Sequence, residues 1–345
     1  MIKIEDNVDL RSLNTFGLQG TAQRLVTYTD QKDLDSLFAH GKSEWQTGPV
    51  THIGGGSNIL FIGDYDGTIL KSEISHPPVF TEESENTVLV TAGAGMTMDD
   101  LCAEVASRGL WGTENLSGIP GQVGAAAVQN IGAYGVEIAD LIERVNLFDT
   151  KKATHTEMTA SECGYGYRTS IFKRQPLKGQ YIVTSVTLRL SRLPVPRLSY
   201  GHLAVRVSAF PAPQEIRREV IAMRDNKLPD WRKTGNAGSY FKNVETDMAA
   251  YDRICSMVQP EEVPHYPAGD GRVKIPTAWM IEKCGWKGRS EGGAAVWQKQ
   301  PLVLVNATGN ASWSDIVKLE ENIISSVHNK FGITIEPEVE KIRNI

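Results

Sequence analysis

The chain has 345 residues, enough for two or three domains, and can bury about three-quarters of its unfolded surface without a disulfide or metal staple. With 36 Lys and Arg against 41 Asp and Glu, its net charge is −5, which excludes a global basic field for nucleic acid or an anionic membrane. No eighteen apolar residues run together, the opening MIKIEDNVDLRS has no apolar signal core, and Cys102, Cys163, Cys255 and Cys284 are dispersed, which argues against a membrane span, secretion, a disulfide framework or a zinc site.

In chain order, Asp30 caps the first predicted helix, with Leu34, Leu37 and Phe38 on one face and Gly41 at its end. Residues 50–53, 68–71 and 88–91 read as strands. Thr97 followed by Asp100 resembles a capping box, opening a helix with Leu101, Val105 and Ala106 on one face and Gly109 as its stop. A strong strand at 181–190 leads into Pro194, Pro196 and Gly201, where the main boundary is placed. A softer boundary near 71–78 gives segments 1–71, 72–195 and 196–345. The third segment begins with a helix over 214–226, carrying Ile216, Val220 and Met223. It continues through a strand at 301–306 and a long helix over 313–331, with Ile316, Leu319, Ile323 and Val327 as its stripe and Gly332 as its stop. Residues 333–342 alternate, with Ile333, Ile335 and Val339 opposite Glu336, Glu338 and Glu340. They read as an edge strand marked by Pro337, its glutamates on a solvated face. This mixture predicts an α+β protein, soluble and cytoplasmic.

The 32 glycines cluster, and glycine lets backbone approach a ligand closely. THIGGGSNILF (51–61) is either a backbone nest for a pyrophosphate or a tight hairpin turn. TAGAGMTMDDL (91–101) begins like a dinucleotide fingerprint, but Met98 occupies the third glycine position, which disfavours a Rossmann site. GIPGQVGAAAVQNIGAYG (118–135) is too small-residued to be a packed core alone and reads as a cradle for a planar ligand and its phosphates. Arg168, after the turn in GYGYRTSIFK (164–173), offers its fork to a carboxylate or phosphate, or makes a surface salt bridge. In GNAGSYFKN (235–243), Ser239 follows a glycine turn with no histidine near it in sequence, so hydrolase chemistry is weakly supported.

Together the motifs resemble the UDP-N-acetylenolpyruvoylglucosamine reductase family over nearly the whole chain. The matching stretches are NTFG (14–17), GGGSN (54–58), IPGQVGAAAVQNIGAYG (119–135), YGYRTSIFK (165–173), KLPD (227–230), GNAGSYFKN (235–243), GGAAV (292–296) and EPEV (336–339). The SYGHL insert looks like that of the long form, in which a tyrosine loop closes over substrate. The chain departs from the family after EPEV, where Glu340-Lys341-Ile342-Arg343 replaces the usual basic residue and apolar-glycine pair.

The resemblance implies a two-lobed FAD-binding half of the vanillyl-alcohol-oxidase type (1–71 and 72–195) and a C-terminal α+β substrate domain (196–345) whose last strand returns to the active site. It implies non-covalent FAD, with NADPH as hydride donor, and reduction of UDP-N-acetylglucosamine enolpyruvate to UDP-N-acetylmuramate in peptidoglycan precursor synthesis. Gly54, Gly55, Gly56, Ser57 and Asn58 would hold the FAD pyrophosphate. Ile119, Pro120, Gly121, Gly124, Ala125, Gln129, Asn130, Gly132, Ala133 and Tyr134 would line the flavin. Arg168, Ser239 and Glu338 match the catalytic positions: hydride from flavin N5 to C3, a proton from Ser239 to C2, and the carboxylate held by Arg168 and Glu338. Tyr200, Arg224, Lys227 and Asn243 match positions that bind the nucleotide sugar, although Arg224 and Lys227 also suit a helix C-terminus. His52 reads as structural. No metal, nucleic-acid partner or membrane insertion is implied, and the chain is expected to be a monomer. A flavin oxidase of the same fold would not need Arg224, Lys227 and the tyrosine insert. A non-enzymatic nucleotide-sugar-binding protein would not need Arg168, Ser239 and Glu338 together.

Overall fold

The computed structural model describes residues 1–39, 44–258 and 263–344. Its first unit is a four-stranded sheet. Strand β1 (Ile2–Asp9) runs antiparallel to β2 (Thr21–Tyr28). Helix α1 (Gln31–Ala39) then leads to β3 (Val50–Ile53), and β4 (Ile59–Phe61) precedes β5 (Tyr65–Ser72), which lies between β2 and β3 and parallel to both. The predicted end of α1 at Gly41 lies outside the described residues. Leu34 and Leu37 of α1 pack with Val26, Tyr28 and Leu70 of this sheet, and also with Phe148 and Ile182 of the next unit, so the two units share a core.

The second unit contains β6 (Val79–Ser84), β7 (Thr87–Gly93), a short hairpin of β8 (Gly132–Ala133) and β9 (Val136–Glu137), then β10 (Ile142–Asp149), β11 (Thr154–Thr159) and β12 (Tyr181–Ser191). Its antiparallel sheet runs in the order β11-β10-β12-β7-β6. Alternate residues of β7 (Val88, Val90 and Ala92) point into a core with Met98, Leu101 and Val105 of α2 (Met98–Ser107). Thr97 Oγ1 accepts from Asp100 N at 3.1 Å, which is the predicted cap. Residues Val123–Gln129 form a further helix, α3, that the cradle reading did not resolve. Its alanines show no apolar stripe in sequence, yet Ala126 and Ala127 are buried and Asn130 ends it in the left-handed conformation at φ 49.

Helix α4 (Pro213–Lys227) follows the proline-rich boundary but packs back on the second unit: Ile216 and Val220 are buried with Trp111 and Leu203. Beyond it, β13 (Asn236–Ser239), β14 (Val244–Thr246), α5 (Met248–Met257), β15 (Tyr266–Pro267), β16 (Val273–Ile275), α6 (Thr277–Lys283), β17 (Ser290–Glu291), β18 (Ala294–Val296), β19 (Val303–Asn306) and α7 (Trp313–Phe331) make the C-terminal unit. Its sheets run β13-β19-β18-β17 and β14-β16-β15. Helix α7 buries Ile316, Leu319, Ile323 and Val327, each stabilising by roughly 1.5–3 kcal/mol. Ser312 and Asp315 form its capping box, and Gly332 terminates it at φ 66.

The chain end differs from the expected edge strand. Only β20 (Glu340–Ile342) pairs as a strand, parallel to β4 of the first unit, and Pro337 makes an isolated bridge with Phe241. The glutamates do not share one solvated face: Glu336 is exposed, Glu340 is intermediate and the Glu338 side chain is 14% exposed. Phe16, Leu18 and Leu60 from the first unit enter the core of the C-terminal unit, fastening the two ends of the chain together. Among the described residues no helix is long and apolar enough to cross a membrane.

Candidate active site

The NTFG segment joins the glycine turn to the strand that carries Ser239. Thr15 N donates to Gly56 O at 3.1 Å, Thr15 Oγ1 donates to Asn236 O at 2.6 Å, and Asn236 N donates back to Thr15 O at 3.0 Å. Gly56 sits at φ 70, and a Cβ there would stand 2.1 Å from Leu13 O, so only glycine fits. A Cβ on Gly54 would meet Ala125 at 2.8 Å and one on Gly55 would meet Gly121 at 3.1 Å, so the turn lies directly against the 119–132 segment.

Between these stretches lies a cavity whose empty space, mouth included, is about 790 Å³. Ser57, Asn58, Ile119, Pro120, Gly121, Ala125, Gln129, Gly132, Arg168, Arg224, Ser239 and Glu338 line it, together with Met98, Gln122, Ile131, Leu228 and Gly238, which the quoted motifs also contain. Gly54, Gly55, Gly56, Gly124, Asn130, Ala133, Tyr134, Tyr200, Lys227 and Asn243 lie outside that lining. Gly124 packs α3 onto Ala94, where a Cβ would come within 2.7 Å. Asn130 is spent on structure, donating to Glu137 Oε2 at 2.7 Å and Gly166 O at 3.0 Å. Asn243 Oδ1 accepts from Thr277 N at the start of α6, Lys227 is exposed, and Tyr200 meets Tyr134 edge-on at 6.0 Å.

Arg168 adopts φ 53, uncommon for a residue with a side chain, and this conformation turns its guanidinium inward. Nη2 donates to Gly132 O at 2.7 Å, Nη1 to Asn130 O at 3.3 Å, and Nε pairs with Glu338 Oε1 at 3.0 Å. One N–H on each terminal nitrogen remains for a ligand. Glu338 is fixed by its own backbone: its N donates to Tyr240 O at 2.7 Å and its O accepts Asn58 Nδ2 at 3.1 Å. Burial pushes the Glu338 carboxyl above the usual carboxylate range, against the pull of Arg168, Lys173 and Lys242. The flanking acids have their own cations, Glu336 with Lys242 at 3.2 Å and Glu340 with Lys178 at 2.6 Å.

Arg224 reaches the cavity from the end of α4 and donates from Nε to Gly118 O at 3.1 Å. Helix α4 is tied to α2 by Arg217, whose two terminal nitrogens contact Asp99 at 2.5 and 3.0 Å, and Asp99 also accepts Gly118 N at 2.6 Å. Burial raises the Asp99 carboxyl, but the Arg217 and Gly118 bonds outweigh it and hold the group below its usual range. This stabilisation is present above the unfolded-state pKa and is lost as pH falls through the lower folded-state value. Asp99→Asn therefore lowers the thermal midpoint at neutral pH, and the gap from the parent closes as the solution is acidified below the ordinary carboxylate range. A midpoint series against pH checks this.

The His52 side chain is exposed on its strand, with its Nε2 2.8 Å from the Tyr28 hydroxyl. It stands in the first sheet and outside the cavity lining.

The residues present fit a flat heteroaromatic cofactor. One wall is small residues and bare backbone, and Gln122 Oε1 beside it is buried without a hydrogen-bond partner, an acceptor suited to a ring N–H. A family model described as an FAD binding domain matches residues 23–158, and one described as UDP-N-acetylenolpyruvoylglucosamine reductase, C-terminal domain, matches 230–342. The reductase of that name from Bacteroides fragilis (strain YCH46) is 44% identical, covering 97% of this chain and 99% of its own. The chain belongs to the UDP-N-acetylenolpyruvoylglucosamine reductase family. A further member, from Azoarcus sp. (strain BH72), is 40% identical over 98% of this chain and 97% of its own. The crystal structure of the Thermus caldophilus reductase shares the fold, with a TM-score of 0.68, 24% identity and 99% coverage of both chains. Family, fold class and the FAD cofactor thus agree with the resemblance carried by the motifs, and the chain is an FAD-containing oxidoreductase.

Proposed function

We propose that this chain uses NADPH to reduce UDP-N-acetylglucosamine enolpyruvate to UDP-N-acetylmuramate, a peptidoglycan precursor, acting as a cytoplasmic monomer. The observation that carries this reading is the meeting of Arg168, Ser239 and Glu338, from three distant stretches of chain, on one cavity walled by the FAD binding domain. The alkene gains a hydride at C3 and a proton at C2, and NADPH becomes NADP⁺. FAD would supply the redox chemistry when bound, carrying hydride between NADPH and the alkene. Ile119, Pro120, Gly121, Gln122 and Ala125 would hold its ring, and Ser57 and Asn58 its phosphates.

Arg168 pairs through its remaining N–H groups with the substrate carboxylate as that group gains charge. The guanidinium is already anchored by Gly132, Asn130 and Glu338, so little reorganisation is needed. Glu338, its proton favoured by burial, donates a hydrogen bond to the same oxygens. Ser239 delivers the proton to C2, which a weak acid can do only to a strongly basic carbon. Arg224 and Lys227 take the diphosphate. Asn243, its oxygen committed to Thr277 N, keeps its amide nitrogen to donate to the sugar nucleotide, and Tyr200 closes over it.

The test is anaerobic. NADPH should bleach the purified yellow protein near ~450 nm, and the enolpyruvyl nucleotide sugar should restore the colour with formation of the lactyl ether. Bleaching that this sugar cannot reverse would assign the cavity to another oxidisable or reducible small molecule.

A further inference from the structure

The motif that carries Arg168 also carries Lys173, a half-buried cation to which the mechanism above gives no role. The lysine closes the short helical turn Ile171–Lys173, and its Nζ donates to the main-chain carbonyl of Arg168 at 3.4 Å. Among the described residues it has no carboxylate within ion-pair distance, whereas its neighbours Lys178 and Lys242 have Glu340 and Glu336. Even a half-buried ammonium loses hydration that no direct counter-ion here replaces, which points to a use in the site. Resting on the function proposed above, we propose that Lys173 is a positioning residue: it holds the carbonyl of the left-handed Arg168 and stands as the second cation facing Glu338, so that it governs the proton occupancy of that acid.

Glu338 is faced by Arg168 and Lys173 from the 165–173 motif and by Lys242 from the stretch after β13. Lys173 is faced by Glu338 and Glu340 from the chain end and by Lys242 and Lys178. Burial works against charge on both members, lowering the lysine and raising the acid, while each member favours charge on the other. Removing the lysine charge therefore lets Glu338 keep its proton to higher pH. Replacing it with a neutral donor separates charge from the hold on the Arg168 carbonyl.

The test compares holoenzyme carrying Lys173→Met, Lys173→Gln or Lys173→Arg with the parent. The Glu338 carboxyl is followed by isotope-edited NMR, with Glu338→Gln to assign its signal. In K173M and K173Q the carboxyl should titrate at higher pH than in the parent, and in K173R at the parental pH. The pH limb of substrate-driven recolouring should move in the same direction in the same variants. K173Q, which keeps a donor for the Arg168 carbonyl, decides the matter if K173M fails to retain FAD. A parental titration curve in a charge-removed variant that still binds FAD and is bleached by NADPH would overturn the proposal. If the parent itself is not recoloured by the nucleotide sugar, the functional reading fails, while the carboxyl titration still decides the role of Lys173.

Discussion

Ser239→Ala leaves bleaching of the flavin by NADPH near the parental rate and slows recolouring by the enolpyruvyl nucleotide sugar by about 10²–10⁴-fold, the size of effect a positioned proton donor supplies. The surroundings make this a clean substitution. Gly238, at φ 68, turns the chain with its N–H on Asn236 Oδ1, and Tyr240 N is held by Leu302 O. Ser239 Oγ makes no hydrogen bond among the described residues, so losing it disturbs no part of the scaffold. Stopped-flow absorbance of the two half-reactions reads the two rates separately. Equal loss in both would mean that the serine supports the cavity as a whole instead of moving a proton.

The second large effect lies behind the site. Glu320 of α7, with its side chain only 4% exposed, accepts the Tyr240 hydroxyl at 2.7 Å and pairs with Lys341 of β20 at 2.7 Å. One carboxylate thus ties the residue after Ser239 to the strand that follows Glu338. Glu320→Ala leaves a buried phenol without an acceptor and a half-buried ammonium without a counter-ion. Unfolding in denaturant should show a loss of about 3–5 kcal/mol. Lys341→Met should destabilise too, by leaving the carboxylate uncompensated, whereas Glu320→Met with Lys341→Met should recover most of the loss. If the singles and the double are equally destabilised, the pair is not an energetic unit.

Helices α2, α4 and α7 announce themselves because each has an apolar stripe and a recognisable start or stop. The C-terminal alternation was harder. Isolated alternation of Glu336, Glu338 and Glu340 looks like a solvated strand face, and only the fold reveals that three different cations meet them. Helix α3 was hidden because alanine and glycine bury backbone without leaving a stripe. The packing of α4 on the second unit depends on Trp111, distant in the chain, and on Leu203 just before the helix, both ordinary in sequence.

Within the site, the glycine turn and the 119–132 segment were legible because close approach leaves glycines behind. The roles of Lys173 and Glu320 were not, since a lone polar residue gains its meaning from what surrounds it in the fold. The unusual ending Glu340-Lys341-Ile342-Arg343 still forms a strand beside β4, with Lys341 locked to Glu320. It therefore seats Glu338 against Arg168.

The most direct measurement is a crystal structure of the FAD-loaded protein with UDP-N-acetylglucosamine enolpyruvate bound. The account predicts the enolpyruvyl carboxylate within hydrogen-bond distance of Arg168 and Glu338, with Ser239 Oγ facing C2 across from the flavin. An enolpyruvyl group bound away from those three side chains would contradict it.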